Sequence, residues 1–154
     1  MSGWRLGQIN VSRLVAPIDD PRIADFKNAL ERINALAEAQ PGFVWRMTGQ
    51  GDDATDIRPY DDDQIAVNVS VWETPDHLGA FAYRTEHREF LRRGREWFEP
   101  AQGPYLAMWW IPVGRLPNIS ECVERLEHLR AHGPSVYAFD FRTRFDAPAQ
   151  ETAA

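Results

Sequence analysis

Residues 64–73, "QIAVNVSVWE", alternate with a period of two: Ile65, Val67, Val69 and Val71 fall on one side, Ala66, Asn68, Ser70 and Trp72 on the other. The alternation predicts a strand with one aliphatic face and one mixed polar and aromatic face. In "DDPRIADFKNALERINALAEAQPG" the period lengthens, with Ile23, Phe26, Leu30, Ile33 and Ala37 three or four residues apart. Asp20 can cap that helix, Pro21 suits its first position and Pro41-Gly42 ends it. Further strands are expected over 4–11 ("WRLGQINV"), 43–47 ("FVWRM") and 104–114 ("PYLAMWWIPVG"), with an acidic loop over 49–63. A second helical region opens at Thr74-Pro75 and runs to near Pro100. On one helical wheel Tyr83, His87, Phe90, Leu91, Gly94 and Phe98 share a face, while Leu78, Phe81 and Ala82 take the opposite one. A straight helix would need burial on both sides, so a break is expected near Arg84-Thr85. Asn118 and Glu121 have capping-box spacing at the head of a third helix that Gly133 ends. "SVYAFDFRTRF" (135–145) predicts a last short strand.

The order is β-α-β-β-α-β followed by an extra helix and strand, an α+β chain with the ferredoxin-like split βαβ arrangement. One domain is expected over residues 1–146, with a disordered tail over 147–154. Two helices cover one face of such a sheet. The other face then calls for a second copy across a dyad, so a homodimer is expected. At 154 residues the chain can bury a core without staples. The net charge of −6 argues against a nucleic-acid partner, which needs a basic stripe to displace counterions. The single Cys122 rules out an intrachain disulfide and favours a reducing compartment. No apolar run has the length of a membrane span and the N-terminus has no signal-like region, so a cytoplasmic protein without a membrane partner is expected.

Three stretches, "YRTEHREFLRRGREWF", "YLAMWWIPVGRLPNISE" and "LEHLRAHGPSVYAFDF", together with "LGQIN" near the N-terminus, resemble the bacterial domain of unknown function 3291 family. The resemblance spans nearly the whole chain and implies a dimeric α/β barrel. That superfamily includes cofactor-free monooxygenases of antibiotic pathways, haem-degrading enzymes, chlorite dismutase-like proteins and aldoxime dehydratases.

His87 is the candidate for chemistry, since it lies among Phe90, Leu91, Gly94 and Phe98 with Tyr83 one turn away. Gly94 on the same stripe removes bulk where a ligand or the sheet approaches. An imidazole there is either a core group bonded to a backbone carbonyl or a pocket acid–base. Axial haem ligation is a third use, as the resemblance places the axial histidine of haem-binding members on the second helix. Asn68, beside Ser70, suits a cavity wall that holds a ligand through a few hydrogen bonds. Gln8, Asn10, Trp45, Trp72, Phe90, Trp97 and Trp110 are candidates for the same wall, and Arg93 for contact with an anionic substrate. The remaining arginines of 84–95 interleave with glutamates at pairing distance.

His128 and His132 lie four apart but lack the glutamate of a metalloprotease helix, and a helix C-terminus accounts for them. No metal site is expected. There is no Walker loop, dinucleotide fingerprint or nucleophile elbow. Cys122 belongs to an apolar helix face with Val123, Leu126 and Leu129. The reading that follows is a small-molecule enzyme without a nucleotide cofactor. It would act on a flat hydrophobic substrate by monooxygenase-like oxidation or proton-transfer rearrangement. His87 would move a proton while Tyr83 and Asn68 orient the substrate or stabilise an oxyanion. The alternatives are a haem protein with His87 as axial ligand and a non-catalytic metabolite-binding or stress-response module.

Overall fold

The computed structural model describes residues 3–49 and 59–148. Strand β1 (Trp4–Arg13) is the centre of a sheet ordered β2-β3-β1-β4 among the described residues. It pairs antiparallel with β3 (Ile65–Trp72) on one side and β4 (Leu106–Pro112) on the other, while β2 (Phe43–Arg46) adds to the outer side of β3. This is the ferredoxin-like order. Most of the acidic loop and the end of the C-terminal tail fall outside the described residues.

The connections follow from local chemistry. Asp20 accepts from the Arg22 N–H at 2.8 Å, and Pro21 opens a short 3-10 turn leading into α1 (Ala24–Glu38), whose buried residues are Phe26, Ile33 and Ala37. Gly42 follows with φ of +82°, and the His77 ring packs where any Cβ would stand, so only glycine fits there. Thr74 caps α2 (Pro75–Arg84), which ends at the expected place. Thr85 there is extended (φ −118°, ψ −174°), donates to the Phe81 carbonyl at 2.6 Å and accepts from the His87 N–H at 3.2 Å. One side chain thus satisfies backbone groups on both sides of the break. Two short helices, α3 (His87–Arg92) and α4 (Gly94–Trp97), complete the crossing.

Register fixes which residues share a face. Leu6, Gln8, Asn10, Ser70, Trp72, Met108 and Trp110 point toward α1 and α2. Ile9, Val11, Val67, Val69, Ala107 and Trp109 point the other way, where they pack against Cys122, Leu126 and Leu129 of α5 (Ile119–His132). The back of the sheet is therefore not bare. The expectation of a homodimer rested on that face lacking a helix, and the third helix supplies one from within the chain.

The strand expected over 135–145 is reduced to one antiparallel bridge, in which Met108 and Phe139 exchange both backbone hydrogen bonds at 2.7 and 2.8 Å. Ala138 joins the back cluster and Phe139 the front one, so the segment crosses the β4 edge there. Asp140 then accepts from the Thr143 N–H at 2.8 Å, a turn that stops further pairing. An exposed edge is covered in the process. No helix among the described residues is long and apolar enough to cross a membrane.

The Trp109 indole packs against Gly7, where an added Cβ would stand 2.8 Å from Cε2. Gly7→Ala should therefore overpack the back layer, lowering unfolding free energy by about 1–3 kcal/mol in urea melts. A value within error of wild type would show that Trp109 can retreat.

Candidate functional site

At the centre of the front face lies a connected set of polar side chains. Gln8, 1% exposed, donates from Nε2 to Asn68 Oδ1 at 2.8 Å and to Ser70 Oγ at 2.7 Å. Asn10 Nδ2 donates to Gln8 Oε1 at 3.1 Å and to Asn68 Oδ1 at 3.3 Å, and the Trp72 indole donates to Ser70 Oγ at 2.9 Å. A primary amide buried at this depth is costly unless bonded, and here it bonds on both ends.

Asn68 is exposed although it lies on a central strand and faces the helical layer. Helix length explains the opening. Ten residues of α2 rise about 15 Å, which retraces only about four or five residues of strand at roughly 3.3 Å each. Leaving β3 at Trp72, α2 stops near the level of Asn68 and Asn10. Tyr83, in its last turn, is close enough to couple to Tyr105, which stands where β4 begins. Burial first, and that neighbour second, hold the Tyr83 hydroxyl above its usual range. The opening left over Asn68 and Asn10 at the end of α2, with the amides as its floor, is here termed the groove.

His87 begins the next helix. Its Nδ1 lies 3.2 Å from the Ala82 carbonyl, and its ring packs on Phe81 at 4.7 Å and Phe90 at 5.7 Å. Phe81 in turn stacks on Trp72 at 5.4 Å, so rings link His87 to the amide floor. Burial holds the imidazole below its ordinary value of 6.5, against the smaller opposing effect of the Ala82 carbonyl. In the neutral ring Nδ1–H donates to that carbonyl, leaving Nε2 with a lone pair and no bond to a described residue. The carbonyl bond of a core histidine and the free nitrogen of a base occur together in one side chain.

The other expected residues divide. Gln8, Asn10 and Asn68 form the floor, and Trp72 is the ring beneath it. Tyr83 does not stand beside His87, since the break at Thr85 separates the two, and its ring packs on Phe141 at 5.9 Å. Trp45 lies on the back of the sheet, where it pairs with Val71 and packs on the α5 cluster, because odd positions of β3 face away from the groove. Trp97, 2% exposed, fills a core cluster with Phe26, and Trp110 spends its indole N–H on the Phe145 carbonyl. Phe90 touches both front clusters.

Arg93 is engaged by Glu96 at 2.8 Å and Asp25 at 2.9 Å and lies 4.7 Å over the Trp97 ring, so it is already neutralised. With Phe90, Trp97, Arg32 and Glu86 it lines a hollow of about 270 Å³ between α1 and the α3–α4 segment. That is below the roughly 300–1,000 Å³ usual for ligand pockets, and the hollow lies away from the amide floor. Gly94 meets only Phe98 at 3.8 Å, an ordinary contact, so its lack of a side chain clears no approach.

Elsewhere, Cys122 is buried in the back layer, which pushes its thiol up to about 12. His128 packs against His132 at 4.6 Å and Tyr137 at 4.7 Å, and no group of three metal-binding side chains occurs among the described residues. Ser70 and Phe81 are buried next to the amide floor, bonded to Gln8 and stacked on Trp72 respectively, and the exposed Tyr105 stands near Tyr83. Ser70 was readable from its alternation with Asn68, whereas nothing local marked Tyr105.

A family model described as a domain of unknown function (DUF3291) matches residues 5–154. The chain belongs to this family. No curated protein matches it. Among solved structures, a protein of unknown function from Nitrosomonas europaea (NE2512) aligns with a TM-score of 0.51 at 10% identity, covering 75% of this chain and 97% of the other. PA3566 from Pseudomonas aeruginosa aligns at 0.48 and 18% identity, covering 76% and 98%. SnoaB, a cofactor-independent oxygenase from Streptomyces nogalater, aligns at 0.47 and 16%, covering 73% and 95%. At these identities the first likeness shows a shared fold and leaves activity open.

The floor should show two kinds of asparagine and glutamine. Gln8→Ala strands Ser70 and Asn10 inside the layer and should cost about 1–3 kcal/mol by urea unfolding. Asn68→Ala, at an exposed position where water can take over the bond from Gln8, should stay within about 0.5 kcal/mol of wild type. Equal costs would mean that Asn68 is a structural part of the layer.

Proposed function

We propose that the family member described here is an enzyme that binds a planar, largely apolar organic molecule over the amide floor and removes a proton from it. The observation that carries this reading is His87: a half-buried imidazole, held neutral, with Nδ1 committed to a carbonyl and Nε2 uncommitted, joined by rings to the floor. A neutral base of this kind abstracts a proton from an acidic C–H or O–H of the substrate. The electron pair left behind delocalises onto a substrate oxygen, which the amide N–H groups of Asn68 or Asn10 stabilise. Such an anion is ready for rearrangement, or for oxidation with dioxygen as the acceptor of its electrons. Trp72 and Phe81, buried beneath the floor, keep water from its inner side and so strengthen those hydrogen bonds. No nucleotide cofactor enters the step.

A homodimer belongs to the same reading, now by a different route. Among the described residues the outer edge of β2 has no strand partner, and Val44 there is 41% exposed, which gives a second copy a place to pair. Sedimentation at micromolar concentration should give twice the chain mass, and a monomer at all concentrations would remove this part.

His87→Gln should keep the fold while lowering turnover by roughly 10²–10⁴-fold on a substrate found by screening planar phenols and enolisable ketones. Loss of stability with turnover unchanged would make His87 a core residue. A stoichiometric Soret band in protein from haem-supplemented cells, absent in His87→Ala, would replace the base with an axial ligand.

The pH behaviour follows from the sign of the shift. The folded value lies below the unfolded one, so the unfolded chain binds the proton more readily. The contribution of His87 is fully present above 6.5 and is lost as pH falls through the lower folded value. Thermal melts of wild type should therefore drop across that window more than those of His87→Gln. The kcat/KM profile of the wild type should fall on its acid side at a pH below 6.5. Parallel melting curves for the two proteins would contradict a buried neutral imidazole.

A further inference from the structure

The three amides of the floor are coupled, and the coupling dictates what a ligand meets. Turning a primary amide by half a turn exchanges its oxygen and nitrogen without moving the contacts. Turning Asn68 alone would set its NH2 against the Gln8 NH2 at 2.8 Å and the Asn10 NH2 at 3.3 Å. Turning Gln8 alone would set oxygen against oxygen at Asn68 and NH2 against NH2 at Asn10. Turning Asn10 alone would set its oxygen against those of Gln8 and Asn68. Only turning all three together restores every bond.

The two arrangements are close in energy by count. Trp72 Nε1 is donor only, so Ser70 Oγ accepts from it in both. In the first, Gln8 donates to Ser70 and the Ser70 hydroxyl hydrogen has no partner among the described residues. In the second, Ser70 donates to Gln8 and one Gln8 N–H is left over. Each arrangement strands one buried donor. In the first, the Asn68 NH2 and the Asn10 oxygen have no partner among the described residues; in the second, the Asn68 oxygen and the Asn10 NH2 have none, so the two open positions always carry one donor and one acceptor.

We propose that Gln8, Asn10 and Asn68 turn in concert, so that the groove offers one donor beside one acceptor and selects planar ligands whose edge carries the complementary pair, in either order. Lactams, amino-azines and enolisable ketones with a neighbouring hydroxyl have such an edge. The inference rests on the groove being a ligand site, and it explains how one floor follows a substrate through a change of tautomer.

Three bicyclic probes of nearly one shape separate these claims. 2-Quinolone carries N–H beside C=O, 2-aminoquinoline carries ring nitrogen beside NH2, and coumarin carries two acceptors. Affinities are measured by calorimetry in mildly alkaline buffer, where the aminoquinoline is neutral. The first two should bind within about threefold of each other and each about tenfold more tightly than coumarin. In Asn68→Ala that preference should fall to near one, and Asn10→Ala should do the same should the first variant fold poorly. Equal binding of all three would overturn the donor–acceptor edge while leaving the groove in place. A tenfold gap between quinolone and aminoquinoline would overturn concerted turning, since a fixed edge holds one of them only with its benzo ring thrown across the groove. A preference that survives both variants would place selectivity elsewhere. Failure of every probe to bind would remove the groove as a ligand site and the inference with it.

Discussion

Over Leu6–Ile9, strand β1 is enclosed on all four sides, with β3 and β4 on its edges, α1 and α2 in front and α5 behind. That enclosure leaves it no solvent contact at Leu6 and Ile9, both 0% exposed, and it imposes the same condition on Gln8. A strand so placed has to satisfy every polar group internally. The bonds from Gln8 to Ser70 and Asn68 are the response to that condition. They also bring the amides of three positions into one set of hydrogen bonds, from which the character of the groove follows.

The second determinant is where the helical layer stops. Thr85 ends α2 by bonding backward to Phe81 and forward to His87, and the chain changes direction at that point. Two consequences come from one break. Asn68 is left open on an otherwise covered face, and His87 starts a new helix with its ring against Phe81 and Phe90. Had the helix run straight, the histidine and Tyr83 would share a face, and Leu78 and Phe81 would have had to leave the core they fill. Burial of the aromatic side therefore decided the path of the backbone, and the path decided which nitrogen of the imidazole is free.

The back of the sheet shows how a small domain can close its own core. Cys122, Leu126 and Leu129 cover Ile9, Val69 and Ala107, and Gly7 makes room for Trp109 between the layers. The segment after α5 then wraps the β4 edge through the Met108–Phe139 bridge and adds Phe139 and Phe145 to the front. One C-terminal extension serves both faces.

Local pattern was enough for the element order as far as α5, though not for the strand expected after it, and for the alternation of 65–72, the caps at Asp20, Thr74 and Asn118, and the break at Arg84-Thr85. These depend on period, on capping chemistry and on the residues beside each position, all of which a linear sequence contains. Pattern also separated Asn68 and Ser70 from the aliphatic side of β3 and singled out His87. It did not separate Trp45 from Trp72, because the face of a residue on β2 depends on the irregular pairing between Phe43 and Trp45. It did not show that Arg93 would be taken by Asp25, 68 residues away, or that α5 would lie behind the sheet. The bonds among Gln8, Asn10, Asn68 and Ser70 likewise join positions about 60 apart, and only the antiparallel register of β1 with β3 brings them together. Periodicity reports which side of an element is buried, but only packing settles what buries it.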